Sequence, residues 1–338
     1  MKKLTTTLLM CGLFAGSVYG YGPVGHKLVG AIADNRLTTN PTVKAKVKEL
    51  LVGLTLARAA TLADEIKNKT PNQFRLRGQP KITAQLRAFM KANSGKGTTS
   101  HSSFHFTDVP VVGNEKYADG TVGREPFDIV QMIPFCIRVL KGEKPEENDR
   151  AITKTVAVIL LAHYLGDIHQ PLHVGAEYFD SEGKPFEPTA TDRGFADQGG
   201  NKLDLFLLSN GKSVPAGGLH GFWDTPSVKA AFGTNPGAAV ARRLAQSQPP
   251  NLNLNGGTET WAEQMANEIM PIAREAHTRL TFSSIKSITD AKDINKGGDA
   301  TETPTTGPSY NSFAAATVSN EIQKAGWRLA AILEDALK

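Results

Sequence analysis

One apolar segment in the middle of the chain limits the folds that this sequence can adopt. The residues from Ala151 to Ile168 carry large apolar side chains at helical spacing and contain no proline, which predicts a deeply buried helix. His163 and Asp167 lie four residues apart in this segment and therefore on one face of the helix. A buried charge without a partner is costly. A multivalent cation at this face would remove that cost.

The remainder of the chain is predicted to be mostly helical. Further helices are expected near 24–37, 41–52, 56–68, 82–92, 126–141, 236–246, 258–281 and 317–337. The stretches 174–201, 209–218 and 288–311 are rich in Gly and Pro and are predicted to be loops. The sequence shows no internal repeat, and no linker divides it into two cores. The sequence therefore predicts a mainly α fold with a single domain over 21–338.

The N-terminus has the pattern of a secretory signal peptide. Two lysines precede an apolar run that is too short to span a bilayer. We expect a signal peptide over 1–20, cut after Gly20, although cuts after Ala15 or Ser17 fit the pattern as well. The mature chain would then begin at Tyr21, be secreted or periplasmic, and contain no membrane span.

Charge and cysteine content constrain the function only weakly. The chain has 38 basic and 33 acidic residues, a net charge of +5, which is compatible with a polyanionic substrate but does not establish one. After cleavage Cys136 is the one remaining cysteine, so no intramolecular disulfide is possible. The core or bound metal must stabilise the exported chain.

Histidines at metal-ligand spacings are the strongest chemical signal. His173 follows the His163/Asp167 pair beyond a proline that ends the helix, and His220 and Asp224 repeat the four-residue spacing. A single pair of this kind is more often a surface hydrogen bond than a metal site. The buried helix argues against that interpretation for His163.

Two further residues are ambiguous when their segments are taken alone. His26 follows the YGPVG turn and could simply cap or pack a helix, and Asp64 in TLADEIK could be a solvated helix residue.

Six segments in a fixed order carry a resemblance to a known family. YGPVGH, LADEIK, FHFTD, HYLGDIHQPLH, GGN and LHGFWD follow one another from Tyr21 to Asp224, and a weaker match continues to AGWRLA near Arg328. This order resembles the zinc-dependent single-strand nucleases of the S1/P1 type. The resemblance implies a mainly α, single-domain helical fold with a trinuclear zinc cluster at the base of a cleft, similar to zinc phospholipase C.

The resemblance implies nine metal ligands for three Zn²⁺ ions. One zinc ion would bind Asp64, His105, His163 and the shared carboxylate of Asp167. A second ion would bind Asp167, His26 and the amino nitrogen and carbonyl oxygen of Tyr21 as the first mature residue. The third would bind His173, His220 and Asp224.

Catalytic and substrate-binding residues follow from the same resemblance. Asp64 and Asp167 would act in catalysis, with Lys67 contacting the phosphate; a solvated lysine is the simpler interpretation of Lys67. Phe106 would stack on a base and Asp108 would bind a base edge. Asn201 is a candidate substrate contact; the alternative is that it only stabilises a turn.

Several residues serve as contrasts to this site. His169 is expected to support the site or lie at the surface, and His101 and His277 have no assigned role. Phe104 is expected to point away from the neighbours of His105 or into the core. The aromatic residues Tyr178, Phe179 and Phe222 are better explained by core packing than by the cleft.

The implied activity is hydrolysis of single-stranded RNA and DNA to 5′-phosphorylated products, with 3′-nucleotidase activity on 3′-mononucleotides, through attack of a zinc-bridging hydroxide on phosphorus. The protein would be a monomer without a stable protein partner. Zinc phospholipase C is one alternative, but that family tends to end its ligand set with His and Glu rather than His220 and Asp224. A non-catalytic secreted metal-binding protein is the other.

Two features depart from the family pattern. The mature family members usually begin with Trp, where this sequence has Tyr21. Backbone atoms supply the ligands at that position, so Tyr can replace Trp there. The segment 69–100 is also longer than the resemblance leads us to expect.

Overall fold

A computed structural model describes residues 21–95, 100–285 and 297–338 of the protein. The predicted signal peptide over 1–20 and part of the predicted loop over 288–311 lie outside the described residues. Structural statements below refer to the described ranges.

Helices form most of the regular structure in these ranges. The α-helices are α1 (Gly22–Arg36), α2 (Pro41–Leu50), α3 (Leu56–Ala59), α4 (Leu62–Lys67), α5 (Pro80–Ala92), α6 (Ile129–Lys141), α7 (Lys154–Asp167), α8 (Leu219–Asp224), α9 (Pro226–Phe232), α10 (Ala238–Gln246), α11 (Trp261–Thr278) and α12 (Tyr310–Ala336). The strands are β1 (Val109–Pro110), β2 (Gly175–Ala176), β3 (Tyr178–Phe179), β4 (Phe195–Ala196), β5 (Leu203–Ser209), β6 (Lys212–Gly218), β7 (Leu280–Ser283) and β8 (Gly298–Glu302).

Helix α7 is the central element, as its composition predicts. Every side chain from Thr155 to Asp167 is buried, and helices α1, α5, α6 and α12 pack around it. The helix begins three residues later than predicted because Ala151 has a positive φ of 51° and the hydroxyl of Thr153 caps the N–H of Val156 at 3.2 Å.

The predicted helix over 56–68 is divided into α3 and α4. The chain turns at Ala60 and Thr61, where Ala60 ends α3. The break leaves the carbonyl oxygen of Ala60 available to the imidazole of His163, which lies 2.7 Å away. A continuous helix would have used that carbonyl for its own ladder.

The prediction of a loop over 209–218 was wrong. Strands β5 and β6 form an antiparallel hairpin there, joined by Asn210 and Gly211 with φ values of 50° and 73°. Asn-Gly is the residue pair that a two-residue hairpin turn with positive φ favours. The Gly-rich composition of strand β6 conceals this signal, because it lacks the alternation of a half-buried strand.

A small mixed sheet is therefore present beside the helices. Its strand order is β6-β5-β8-β7, with β8 parallel to β5 and antiparallel to β7. Strand β8 and the early start of α12 at Tyr310 correct the predicted loop over 288–311 within the described part. The stretch 174–201 contains the two-residue strands β2, β3 and β4.

One main core connects most of these elements. A continuous cluster of buried apolar side chains extends from Tyr21 in the first turn to Leu337 after α12. This confirms the mainly α, single-domain fold class. Cys136 lies buried in that core as a free thiol, and burial raises its pKa. Among the described helices, none combines the length and the hydrophobicity needed to cross a bilayer.

Candidate metal centre

Buried histidine and aspartate side chains from six segments converge beside the C-terminal end of α7. They come from α1, α4, the segment after Ser103, α7 itself, the turn before β2, and α8. All of them are at most 5% exposed: His26, Asp64, His105, His163, Asp167, His173, His220 and Asp224.

Asp167 lies at the centre of this set. Its Oδ2 atom is 2.9 Å from Nδ1 of His105 and 3.0 Å from Nε2 of His163. Its Oδ1 atom is 3.3 Å from Nε2 of His26 and 3.9 Å from Nδ1 of His173. The two oxygen atoms of one carboxylate thus face different histidines, which is the geometry that a shared ligand needs.

The side chains form three groups that could each hold an ion, and the first two groups share His163. Within each group the ligand-type atoms lie within 4.8 Å of one another, and the groups are His26/Asp64/His163, His105/His163/Asp167 and His173/His220/Asp224. The third group has the composition that the resemblance implies. The first differs from it, because it places His26 with Asp64 and His163, while the resemblance places His26 with Asp167 and Tyr21.

Backbone carbonyl groups orient three of the imidazoles. Nδ1 of His163 is 2.7 Å from the carbonyl oxygen of Ala60, and Nδ1 of His173 is 2.8 Å from that of His105. Nδ1 of His220 is 2.7 Å from that of Gly199. A carbonyl can only accept, so Nδ1 carries the proton in each case. Nε2 of His173 and of His220 is left with a free lone pair, whereas Nε2 of His163 faces Oδ2 of Asp167 at 3.0 Å.

Several of these lone pairs have no donor. Among the described residues, neither nitrogen of His26 makes a hydrogen bond, and the same holds for Nε2 of His173 and of His220. A buried polar atom without a partner is destabilising. A cation would satisfy the one lone pair that each neutral ring offers, so the residues present fit bound metal.

Electrostatics keep most of the histidines neutral. Burial lowers the pKa of His26 and, further, that of His105. It lowers the pKa of His173 to about 3 and that of His220 to about 4. Imidazole binds metal in its neutral form. These side chains are therefore in the ligand form at neutral pH.

The pKa values of two carboxyl groups in the centre are shifted in opposite directions. Burial opposes the charge of Asp167, but His163 and His173 beside it hold its pKa well below the ordinary range. Burial raises the pKa of Asp224 well above that range, although Gln170 donates to its Oδ1 atom at 3.0 Å. A bound cation would favour the charged form of Asp224 as well.

Lys67 lies next to the centre rather than in free solvent. Its Nζ atom is 3.4 Å from Oδ1 of Asp64, and its side chain is 8% exposed. After burial, the charge of Lys67 is the next cause that lowers the pKa of His105. The simpler interpretation of a solvated lysine therefore does not describe it.

Two of the three candidate substrate residues, Phe106 and Asp108, lie on the segment that carries His105. Phe106 follows His105 directly and is half-buried. Asp108 comes two residues later; burial, with Asp197 and Asp128 adding to it, raises its pKa to about 7. Asn201 is exposed, and its Nδ2 atom donates to the carbonyl of Gln198 at 2.8 Å. Turn chemistry accounts for Asn201 in this structure.

Tyr21 is held by its side chain. The ring is fully buried, and its hydroxyl donates to the carbonyl of His169 at 2.5 Å. The carbonyl oxygen of Tyr21 accepts the N–H of Gly25 at 3.1 Å. Tyr21 and Asp224 line the same small cavity, which places the first described residue beside the third group.

The remaining histidines lie outside the three groups. Nε2 of His169 is 3.0 Å from Nη1 of Arg328, and its Nδ1 faces the carbonyl of Leu165 at 2.7 Å. His277 pairs with Asp197 at 3.0 Å. His101 packs on the ring of Phe89 with centroids 5.8 Å apart.

The aromatic contrasts are buried. Phe104 is 0% exposed and packs against Phe127. Tyr178 donates from its hydroxyl to the carbonyl of Asp108 at 2.8 Å. Phe179 and Phe222 are also buried in the core, so none of these rings offers a free face to solvent.

Sequence reasoning missed one residue that the centre requires. A Cβ atom on Gly166 would lie 2.7 Å from Nδ1 of His26, so only glycine lets the His26 ring approach α7. A glycine inside an otherwise apolar helix, between His163 and Asp167, is the signal that could have identified it.

Comparison with known proteins agrees with this geometry. A family model described as S1/P1 Nuclease matches residues 21–338. The chain is similar to Endonuclease 2 of Arabidopsis thaliana, with 23% identity over 274 residues, 78% of this chain and 72% of that protein. It is also similar to Endonuclease 1, with 33% identity over 88 residues, and Endonuclease 3, with 29% over 105 residues, both of Arabidopsis thaliana. These two alignments span 21% and 28% of the relatives. Because the family model covers nearly the whole chain, the protein belongs to the S1/P1 nuclease family.

Proposed function

We propose that the protein hydrolyses phosphodiester bonds of single-stranded RNA and DNA to 5′-phosphorylated products, and that it also removes phosphate from 3′-mononucleotides. Family membership and the names of the relatives support a nuclease. The observation that carries the proposal is the set of buried, unpaired imidazole nitrogens around the carboxylate of Asp167. Such a set is suited to metal-assisted hydrolysis of a phosphate ester.

The ligands proposed for three Zn²⁺ ions are the eight side chains of the centre together with the backbone of Tyr21. These are nitrogen and oxygen donors of the kind that catalytic zinc uses, and no thiolate is needed. Bound zinc would supply Lewis-acid chemistry, lowering the pKa of water and offsetting negative charge on the phosphate.

The protein residues around the ions then have distinct tasks. Asp167 keeps the histidines that face its two oxygen atoms at a constant separation. Asp64 can accept a proton or orient water while it is paired with Lys67. Lys67 offers a cation to a non-bridging phosphate oxygen. Phe106 offers a half-buried ring on which an unpaired base can stack, and Asp108 can bond to the base edge. We retain Asn201 only as a weaker candidate contact.

Burial of the ligands supports the proposed preference for single strands. Ligands that are at most 5% exposed cannot reach a phosphate inside a stiff duplex. An unstacked strand can enter a cleft and lay a base on Phe106, and stacking of this kind tolerates any base.

Zinc content and hydrolysis test this function together. We expect about three zinc ions per purified chain and hydrolysis of single-stranded DNA and RNA that a chelator abolishes. Asp167→Asn should lower kcat/KM by more than about 100-fold, the upper range for residues that only support a metal ligand. The matched control is Asp34→Asn, an acid outside the three groups whose oxygens accept the N–H groups of Leu56 and Ala57 at 3.2 and 3.3 Å.

The same preparation distinguishes the alternatives. Hydrolysis of phosphatidylcholine without hydrolysis of nucleic acid would assign the protein to phospholipase C chemistry. Stoichiometric zinc without either activity would indicate a non-catalytic metal-binding protein. A metal-free protein with full nuclease activity would contradict the metal centre.

We also propose that the protein is exported and that a signal peptidase cuts it after Gly20. The amino group of Tyr21 would then be free to bind metal. Mass spectrometry of the exported protein should give Tyr21 as the first residue. Full zinc content and activity with a different first residue would remove Tyr21 from the ligand set.

A further inference from the structure

Basic side chains are concentrated in one stretch of the sequence. Between Ile66 and Thr107 there are eight Lys and Arg residues and no Asp or Glu. The whole chain has 38 basic and 33 acidic residues, so the remainder holds 30 basic and 33 acidic ones. The positive net charge of the protein is therefore carried by this stretch.

Both ends of the stretch lie at the metal centre. At its start, Nζ of Lys67 is 3.4 Å from the Asp64 carboxylate. At its end are His105, a member of the centre, and Phe106. Between these ends the chain leaves the centre, forms α5 and returns, and the ring of Phe89 in α5 packs on His101 near the end. The basic stretch is thus an excursion from the candidate active site.

Five of the eight cations in this excursion are exposed in the part of the chain that the structure describes. Lys69, Arg75, Arg77, Lys81 and Lys91 are all solvent-exposed. In the described ranges, none of these five side chains makes an ion pair with an acidic group. We call these five residues the basic track.

Hydrogen bonds hold the track in place. Arg87 is used structurally, because its Nε atom donates to the carbonyl of Phe74 at 2.9 Å and its Nη2 atom to that of Asn72 at 3.3 Å. The N–H of Leu76, between the two track arginines, donates to Thr83 Oγ1 at 3.1 Å. The loop that carries Arg75 and Arg77 is therefore bound to α5.

Helix α5 presents its two lysines outward. Ile82, Leu86 and Phe89 are buried against the core, so the opposite face, with Lys81 and Lys91, faces solvent. Packing does not require charge on that face.

We propose that the basic track binds the phosphate backbone of a single-stranded polynucleotide whose scissile phosphate lies at the metal centre. The proposal rests on the proposed nuclease function. A single strand carries one charge per nucleotide, and positively charged surfaces that follow the backbone are the usual means of binding it without regard to sequence. A mononucleotide is too short to occupy the centre and the track together, so the track selects polymers.

The test compares a polymer with a mononucleotide. Zinc-loaded wild type is compared with the triple variant Lys69→Gln, Arg75→Gln, Arg77→Gln, using an oligothymidylate of about 30 nucleotides and 3′-AMP as substrates. A control variant, Lys44→Gln, Lys48→Gln, Arg242→Gln, removes the same charge from exposed positions outside the stretch. Binding is measured in parallel with a fluorescent phosphorothioate oligothymidylate.

The track predicts a specific change in salt dependence. In the triple variant, the ratio of kcat/KM for the oligonucleotide to that for 3′-AMP should fall by about tenfold, through KM. The slope of log Kd against log salt should decrease by about 2, since each phosphate contact on a single strand contributes about 0.7. The control variant should behave as wild type does.

The possible failures are distinct. Unchanged oligonucleotide Kd and salt slope in the triple variant would overturn the track, whatever the activity. Weaker binding of the triple variant to phosphatidylserine vesicles, with unchanged oligonucleotide binding, would assign the charge to an anionic membrane instead. If zinc-loaded wild type hydrolysed neither substrate, the proposed function would be wrong. The binding measurement would still show whether the basic track binds the oligonucleotide.

Discussion

The described part of the chain contains two buried clusters of histidine and carboxylate, and they differ in their hydrogen bonding. The metal centre contains imidazole nitrogens without a donor or acceptor. In the second cluster, which consists of Glu177, Asp197 and His277, Nδ1 of His277 faces the carbonyl of Ala273 at 2.8 Å and Nε2 faces Asp197 at 3.0 Å. The other oxygen of Asp197 accepts the N–H of Glu177 at 3.1 Å. The second cluster is complete in itself.

The charges of the clusters differ in the same way. Burial lowers the pKa of His173 to about 3 in the metal centre. In the second cluster burial also acts against charge, but the Asp197 bond and charge prevail and raise the pKa of His277 to about 9. His277 and Asp197 thus form an internal ion pair, whereas the unpaired nitrogens of the metal centre could be satisfied by a cation from outside. Residue type and burial do not distinguish the two clusters; pairing of each polar atom does.

Removal of metal should show the difference between the two clusters most clearly. A chelator is expected to abolish hydrolysis and to lower the free energy of unfolding by about 4 kcal/mol, if free zinc had been present at about 1,000 times its Kd. The Asp197→Asn variant should lose the same amount on chelation, because its altered cluster binds no metal. Chemical denaturation with and without zinc measures both. An equal stability of the zinc-loaded and chelated wild type would contradict the contrast.

Breaking the internal ion pair should act on stability instead. Asp197→Asn leaves the buried His277 without its charge partner and is expected to cost about 3–5 kcal/mol in the free energy of unfolding. Zinc content should stay at the wild-type value, and metal analysis of the folded variant checks this. Loss of zinc from this variant would mean that the two clusters are not independent.

The internal ion pair also predicts how stability changes with pH. The pKa of His277 is raised from 6.5 to about 9, so its contribution is complete below about pH 6.5 and is lost as the pH rises through 9. The loss should approach about 3 kcal/mol. Burial raises the pKa of Glu177 to about 7. Its contribution to stability therefore also decreases as the pH rises, but at a lower pH than that of His277. Denaturation from pH 7 to 9.5 should show the decrease in wild type and not in His277→Gln.

The smallest expected effect concerns one glycine of the metal centre. The side chain of Gly166→Ala would come within 2.7 Å of His26 Nδ1 and should displace that ring, lowering zinc affinity by about 10- to 100-fold. Titration of the chelated protein with zinc measures this affinity. Gly221→Ala is a matched control, because a Cβ at Gly221 in α8 meets no atom within 4 Å. Equal zinc affinities of the two variants would contradict the role of Gly166.

Much of this arrangement could be anticipated from the sequence. The periodicity of α7 predicted a buried helix, and the ordered segments named eight side chains that the structure brings into three groups. The β5–β6 hairpin was missed, since the Asn210–Gly211 signal lay within a Gly-rich stretch. Asp197 and His277 are 80 residues apart in the chain, so no local pattern could reveal their pairing. The carbonyl partners of the histidines depend on where the folded backbone passes, which sequence spacing does not encode.

Those carbonyl partners have a consequence for how this protein tolerates change. Ala60, His105 and Gly199 orient His163, His173 and His220 through main-chain oxygen atoms, which every amino acid possesses. Substituting a side chain at Ala60 therefore leaves the orienting group in place as long as the backbone keeps its course. The directions of these imidazoles are a property of the chain path. A scan of single substitutions around the centre would underestimate how strongly its geometry is held, whereas a one-residue deletion near Ala60 would reveal it.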